Sequence, residues 1–193
     1  MSFANRLKRR VLPAGTAAVL VFALAGCAAD RPPPHETDPT FYRSLAHAGA
    51  KVDAKAAQSM ISGYRHNNGL SAVTLDPELM ALAEHQATVM AARNKLDHNI
   101  DGPLAARLRK AGYRASTAAE NISAGYHTLA EAFSGWRDSP PHRKNMLLPG
   151  ATRFGIAAVY TPGSKYKVFW AMVIAKPMER RAAEEEPVVQ VLR

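Results

Sequence analysis

The chain of 193 residues has a single cysteine, Cys27. Disulfide frameworks need pairs and thiolate metal sites need clusters, so both are excluded. The apolar stretch at residues 19–25 falls short of the roughly 20 predominantly apolar residues that a membrane-spanning helix needs. The local signatures of zincins, P-loops, dinucleotide-binding turns and nucleophile elbows are all missing, so no short motif assigns a chemistry. Nor is there a stripe of lysine and arginine interleaved with aromatic residues, which removes nucleic acid from the expected partners. No internal repeat is found.

What the chain does have begins with a polarised N-terminus. Arg6, Lys8, Arg9 and Arg10 precede the apolar stretch, and small residues then lead to Cys27, the layout of a secretory signal over residues 1–26. The four residues "LAGC" resemble the bacterial lipobox, in which cleavage before the cysteine leaves a thiol that carries a diacylglycerol. Acyl chains contribute about 0.8 kcal/mol per buried CH₂, so two or three of them, palmitate among them, anchor a protein stably. The expected partner is therefore a membrane, reached through lipidated Cys27. Acylation also removes the last thiol, which leaves no cysteine nucleophile and makes the fold depend on its core.

Residues 27–40, rich in proline and polar side chains, read as an extended tether. Residues 41–178 have the usual size of one domain, expected as a monomer, and residues 179–193 form a charged tail, helical or disordered. Of the net charge of +9, four positives lie in residues 1–26 with no acid among them, which leaves +5 for the rest. That balance suits the anionic surfaces of a bacterial cell envelope. Ala28, rather than an aspartate, follows the cysteine, which favours the outer over the inner membrane if the cell is Gram-negative. Either membrane would present the domain on its periplasmic face.

Between the termini the apolar periodicity predicts helices first. Residues 53–67 place Ala56, Met60, Ile61 and Tyr64 at helical spacing, and "NNGL" supplies a stop that tolerates left-handed backbone. The clearest helix has Asp76 as N-cap, Pro77 at its first position, Glu78 in its first turn, and Leu79, Leu82, Ala83, Gln86, Val89 and Met90 along one face. His85 lies one residue off that stripe and reads as a boundary or surface histidine. Further helices are predicted from Pro103 to Gly112, with Leu104 and Leu108 one turn apart, and from Thr128 to Asp138, with Leu129, Ala132, Phe133 and Trp136 on one face.

"YRASTAAENISAG" reads as extended and turn structure. Two strands, residues 154–160 and 166–174, close the domain around the hairpin loop "TPGSK". Both strands are apolar on both faces, which predicts a sheet covered on both sides. The fold class is α+β, with helices on both faces of a sheet that ends in an antiparallel hairpin.

Groups of catalytic type concentrate in four segments: "LDHNIDG" with Asp97, His98 and Asp101; "AEN" with Glu120 and Asn121; "WRDS" with Trp136, Asp138 and Ser139; and "SPPHRKN" with His142, Arg143 and Asn145. His98, Glu120 and His142 are spaced 22 positions apart each time, so only tertiary structure can join them. With Ser139 as N-cap and Pro140 in the first helical position, His142 lies in the first turn, where the macrodipole disfavours the imidazolium. A neutral ring there is competent as a metal ligand or hydrogen-bond acceptor, or simply helps to cap its own helix. Glu120 has no basic neighbour in sequence. It either faces solvent or is buried with a partner, because an unpaired buried carboxylate is costly.

Taken in order, "ISGYRHNNGL", "LDPELMALAEHQATVMA", "LDHNIDG", "AENIS", "WRDSPPHRKNML" and "FGIAAVY" resemble the CAP superfamily, also called SCP-like: cysteine-rich secretory proteins, insect antigen 5 and plant pathogenesis-related proteins. The form around His142 is similar to the bacterial branch. The resemblance implies a three-layer α-β-α sandwich with a central cleft. It further implies that His98, His142 and Glu120, with Asn121 beside them, line that cleft and can hold a divalent cation such as zinc. Three protein ligands and an open position suit zinc geometry.

Three departures stand out: Ser139 occupies the place of a second glutamate in the animal and plant pattern, Ala119 replaces the usual glycine before Glu120, and the family's disulfides cannot form. The function implied is a binding module for a small ligand: a lipid, peptide or glycan. The alternatives are a metal- or histidine-dependent hydrolase or protease, with His98, Glu120 and His142 as its catalytic candidates, and a structural envelope protein.

Overall fold

The computed structural model describes residues 39–178. The expected signal, the lipidated Cys27, most of the tether and the charged tail lie outside these described residues. After a single 3₁₀ turn at Thr40–Tyr42, the chain runs α1 (Ala54–Asn67), β1 (Thr74–Leu75), α2 (Pro77–Arg93), α3 (Leu104–Lys110), β2 (Ala115–Ala124), α4 (Leu129–Asp138), α5 (Pro140–Met146), β3 (Arg153–Tyr160) and β4 (Val168–Pro177).

The helix ends follow local chemistry. Asp53 accepts the Ala56 amide at the start of α1, and Asp76 accepts those of Glu78 and Leu79 at the start of α2. Such a cap is worth about 1 kcal/mol. At the other end of α2, Asn94 adopts the left-handed conformation that stops the helix. Thr128 and Glu131 form a reciprocal capping box at α4.

The sheet order is β1-β3-β4-β2, with β4 antiparallel to both neighbours and β1 parallel to β3. Side chains alternate along β4 with period two. Val168, Trp170, Met172 and Ile174 enter one core with Ala57 and Ile61 of α1, Leu129, Ala132 and Trp136 of α4 and Met146 of α5. Phe169, Ala171, Val173 and Ala175 enter the other, with Leu79, Leu82, Ala83, Ala87 and Met90 of α2 and Leu108 of α3. Each large apolar side chain so buried contributes about 1.5–3 kcal/mol. The result is the α-β-α sandwich expected, ending in the expected hairpin. Helix α2 lies so close to β3 that a Cβ on Gly155 would fall onto the Leu79 carbonyl, so only glycine fits there.

Three details differ from the sequence reading. Residues 115–124, read only as extended and turn structure, form the long edge strand β2, hydrogen-bonded to β4 over nine residue pairs. The hairpin's second strand starts at Val168, because Lys167 takes a positive φ of 63° that ends the loop. The buried face of α1 includes Arg65 beside Ala57 and Ile61. A stripe drawn from apolar residues alone leaves that arginine out.

Candidate functional site

Successive residues of a strand face opposite sides, and β2 exploits this at the edge of the sheet. Glu120 lies opposite Val173, so it faces the α2–α3 layer, while Asn121 lies opposite Met172 and faces the α4–α5 layer. On the first side Glu120 is only 6% exposed. Its Oε1 lies 2.8 Å from His98 Nδ1, and its Oε2 accepts from Arg107 Nη2 at 2.7 Å. Of the two states open to Glu120 from sequence, the buried and partnered one is adopted.

Arg107, on α3, is itself buried. Its Nε donates to the Gly102 carbonyl at 3.1 Å, and Nη2 also reaches the His98 carbonyl at 3.4 Å. Among the described residues Nη1 has no hydrogen-bond partner. One guanidinium therefore ties the acid to the loop that carries His98. The loop is braced further by Gln86, which donates to the Asp97 carbonyl, and by Asp97, which accepts from Lys95 and from the Asn99 amide. The two contacts at its carboxylate lower the Asp97 pKa, the Lys95 bond first.

On the second side two asparagine amides pin α5 to β2. Asn121 Nδ2 donates to the His142 carbonyl at 2.9 Å, and Asn145 Nδ2 donates both to Asn121 Oδ1 at 2.9 Å and to the Glu120 carbonyl at 3.0 Å. Ser139 does occupy the N-cap position, with Pro140 after it, yet its side chain makes no cap bond; only its carbonyl serves, accepting the Arg143 amide. That corrects the expectation of a serine cap. The His142 pKa lies below that of a free histidine, as expected, but the cause is burial first and the charge of nearby His98 second.

The remaining candidates lie elsewhere. Asp138 pairs with Arg137 on the surface, and Asp101 pairs with His85, which is exposed as expected. Trp136 belongs to the core, edge-on to Trp170. Arg143 leans towards the Arg137 carbonyl. A groove of about 610 Å³ between the 48–52 loop, Met80 and Glu84 of α2 and residues 156–160 of β3 includes none of the site residues in its lining.

The residue that sequence reasoning missed is Arg107. A signal was present, since Arg107 is three residues after Leu104 and one before Leu108, on the helix face that the two leucines mark as buried.

The donors can be tested against the zinc set that the resemblance implies. A ligand set of His98, His142 and Glu120 needs a Glu120 oxygen turned towards a shared point. Both of its oxygens are engaged, one by His98 and one by Arg107. Among the described residues no group of three or more His, Cys, Asp or Glu is arranged to hold a metal ion. The residues as placed do not fit a three-ligand zinc centre.

The sequence pattern of the cysteine-rich secretory protein family, CAP, matches residues 58–174, well over half of the chain. The protein belongs to this family. A relative in Bacillus subtilis, the uncharacterized protein YkwD, is 27% identical over 128 residues, which cover 65% of this chain and 50% of that protein. The chain thus spans half the length of that curated relative. Among solved structures, an outer surface protein of Borrelia burgdorferi superposes with a TM-score of 0.59 at 19% identity, over 67% of this chain and 99% of that one. An extracellular SCP-domain protein of Bacillus anthracis superposes with a TM-score of 0.56 at 23% identity, over 63% of this chain and 39% of that one. At these identities the two structures establish the fold alone, the α-β-α sandwich.

Proposed function

We propose that this protein is a lipid-anchored CAP domain of the bacterial cell envelope whose cleft at the edge of β2 binds a small ligand. One observation carries the reading: a half-exposed imidazole, His98, is held on a carboxylate whose charge Arg107 already balances, and the half-buried His142 lies near enough for the charge of His98 to lower its pKa. Such a site holds hydrogen-bonding groups in fixed positions and leaves them accessible on one side. The envelope location is supported by the names of the relatives, one an outer surface protein and one extracellular. The lipid anchor rests on "LAGC" and Cys27. Ligands of the lipid, peptide and glycan classes are all abundant at that location.

The reading is tested by binding of extracted envelope fractions to the wild type and to His98→Ala. Retention of a fraction by the wild type and its loss in the variant is the expected result; equal retention by both defeats the cleft. Radioactive palmitate should label the wild type and not Cys27→Ser.

A histidine-dependent hydrolase is the second reading, favoured by one feature: Glu120 orients His98 as an acid orients a general base. Against it, no serine, threonine or tyrosine hydroxyl among the described residues is hydrogen-bonded to either ring. Cleavage of a broad peptide and ester library, abolished by His98→Ala in a folded protein, would promote this second reading over the first.

A further inference from the structure

We propose that Arg107 is the resident cation of this cleft, holding Glu120 in place of a divalent metal, so that His98 and His142 meet their ligand without one. The proposal rests on the ligand-binding reading of the same site and deepens it.

A buried carboxylate needs a positive partner, and breaking such a pair is costly. Arg107 supplies that partner permanently, because a guanidinium does not deprotonate in proteins. It is also fixed in position, with Nε on the Gly102 carbonyl and Nη2 shared between Glu120 and the His98 carbonyl. Glu120 cannot turn to a metal without leaving this cation uncompensated in the interior. A metal would also arrive beside that fixed positive charge. Ser139 brings no charge to the site, and the adjacent Asp138 is paired with Arg137 on the surface.

The arrangement has a consequence for the ligand. With one Glu120 oxygen accepting from Arg107, the other accepts from His98, so the ring's proton is on Nδ1. In its neutral form the ring presents the lone pair of Nε2 from a side chain that is 52% exposed. A lone pair at that place recognises a hydrogen-bond donor. The ligand chemistry that fits is a hydroxyl or amide N–H group.

The test uses the full-length protein, stripped with a chelator, in two measurements. Calorimetric titration with zinc is expected to show no stoichiometric step that depends on His98. Imidazole ¹⁵N spectra of the neutral ring are expected to show His98 protonated on Nδ1 and bare on Nε2. One equivalent of zinc bound by the wild type and lost in both His98→Ala and His142→Ala would overturn the proposal, as would a proton on Nε2. Arg107→Met, which frees Glu120, should raise zinc affinity by about tenfold or more, and Arg107→Lys, which keeps the charge, should behave as the wild type. Unchanged affinity in a folded Arg107→Met protein also overturns it. If that variant does not fold, the two wild-type measurements decide alone. Zinc held by His98 would refute the resident cation and leave the ligand reading standing; failure of every envelope fraction to bind would do the reverse.

Discussion

Arg65 on α1 and Arg107 on α3 are both buried, 0% and 4% exposed, and their guanidinium groups serve different ends. Arg65 meets only backbone. Its Nε donates to the Ser71 carbonyl, Nη1 to those of Met146 and Leu148, and Nη2 to that of Ala151, all within 3.0 Å. Burial without a carboxylate lowers its pKa from the usual arginine value. Arg107 meets a carboxylate and a histidine-bearing loop instead. The first is a staple that closes the chain after α5; the second is a counterion that makes a buried acid usable. The same residue type on the buried face of a helix takes its role from what the rest of the fold brings to it.

The comparison can be broken or sharpened by substitution. Arg65→Met should be the most damaging change, because it removes the side-chain donor of four carbonyls, two in buried and two in part-buried bonds. Each unsatisfied buried group costs about 1–3 kcal/mol, so a loss of roughly 4 kcal/mol or more is expected in urea denaturation. Arg107→Met should cost roughly 3–5 kcal/mol by stranding Glu120. The two arginines then separate in a double-mutant cycle. Adding Glu120→Gln should relieve the Arg107→Met loss by about 1 kcal/mol or more and should leave the Arg65→Met loss additive. Coupling of Glu120 to Arg65 of the same size would erase the distinction drawn between them.

Smaller effects test the layer that holds His142. Asn145→Ala removes the bonds to Asn121 and the Glu120 carbonyl, and a loss of about 1–2 kcal/mol is expected by the same denaturation. At the helix starts, Asp76→Ala should cost about 1 kcal/mol, whereas Ser139→Ala should change stability by less than about 0.5 kcal/mol, since the serine makes no cap bond.

His142 adds a pH dependence. Its folded pKa lies below the ordinary value, chiefly through burial, so the unfolded chain binds the proton more readily. The stability this contributes is complete above the ordinary histidine pKa of about 6.5 and is lost as pH falls through the lower folded value. Replacing His142 with Phe should flatten the denaturation midpoint between neutral and mildly acid pH; an unchanged slope would assign the dependence to other groups.

Much of this architecture was legible in the order of residues. The cap at Asp76, the stop in "NNGL" and the stripe of Leu79, Leu82, Ala83, Gln86 and Met90 act within a few residues of themselves, where sequence patterns are informative. The alternation along β4 was legible for the same reason. Strand β2 was less so, because "ASTAAENISA" is built of small and polar residues with no clean alternation, and its pairing partner lies some fifty residues downstream. The neutral His142 was foreseen in direction through the wrong cause. Its lowered pKa comes from burial and then from the charge of His98, neither of which a local pattern reports.

By itself the sequence determined the family, the two-sided sheet, the helices and the candidate trio of His98, Glu120 and His142, because these follow from periodicity, turn chemistry and motif order. Only the tertiary structure decided which partners Glu120 meets. Whether Glu120 is open to a metal depends on which charge lies beside it, and that charge comes from Arg107, thirteen residues away along the chain and 2.7 Å away in space. A charge buried beside an acid outweighs any local preference, and it is visible only once the chain has folded around it.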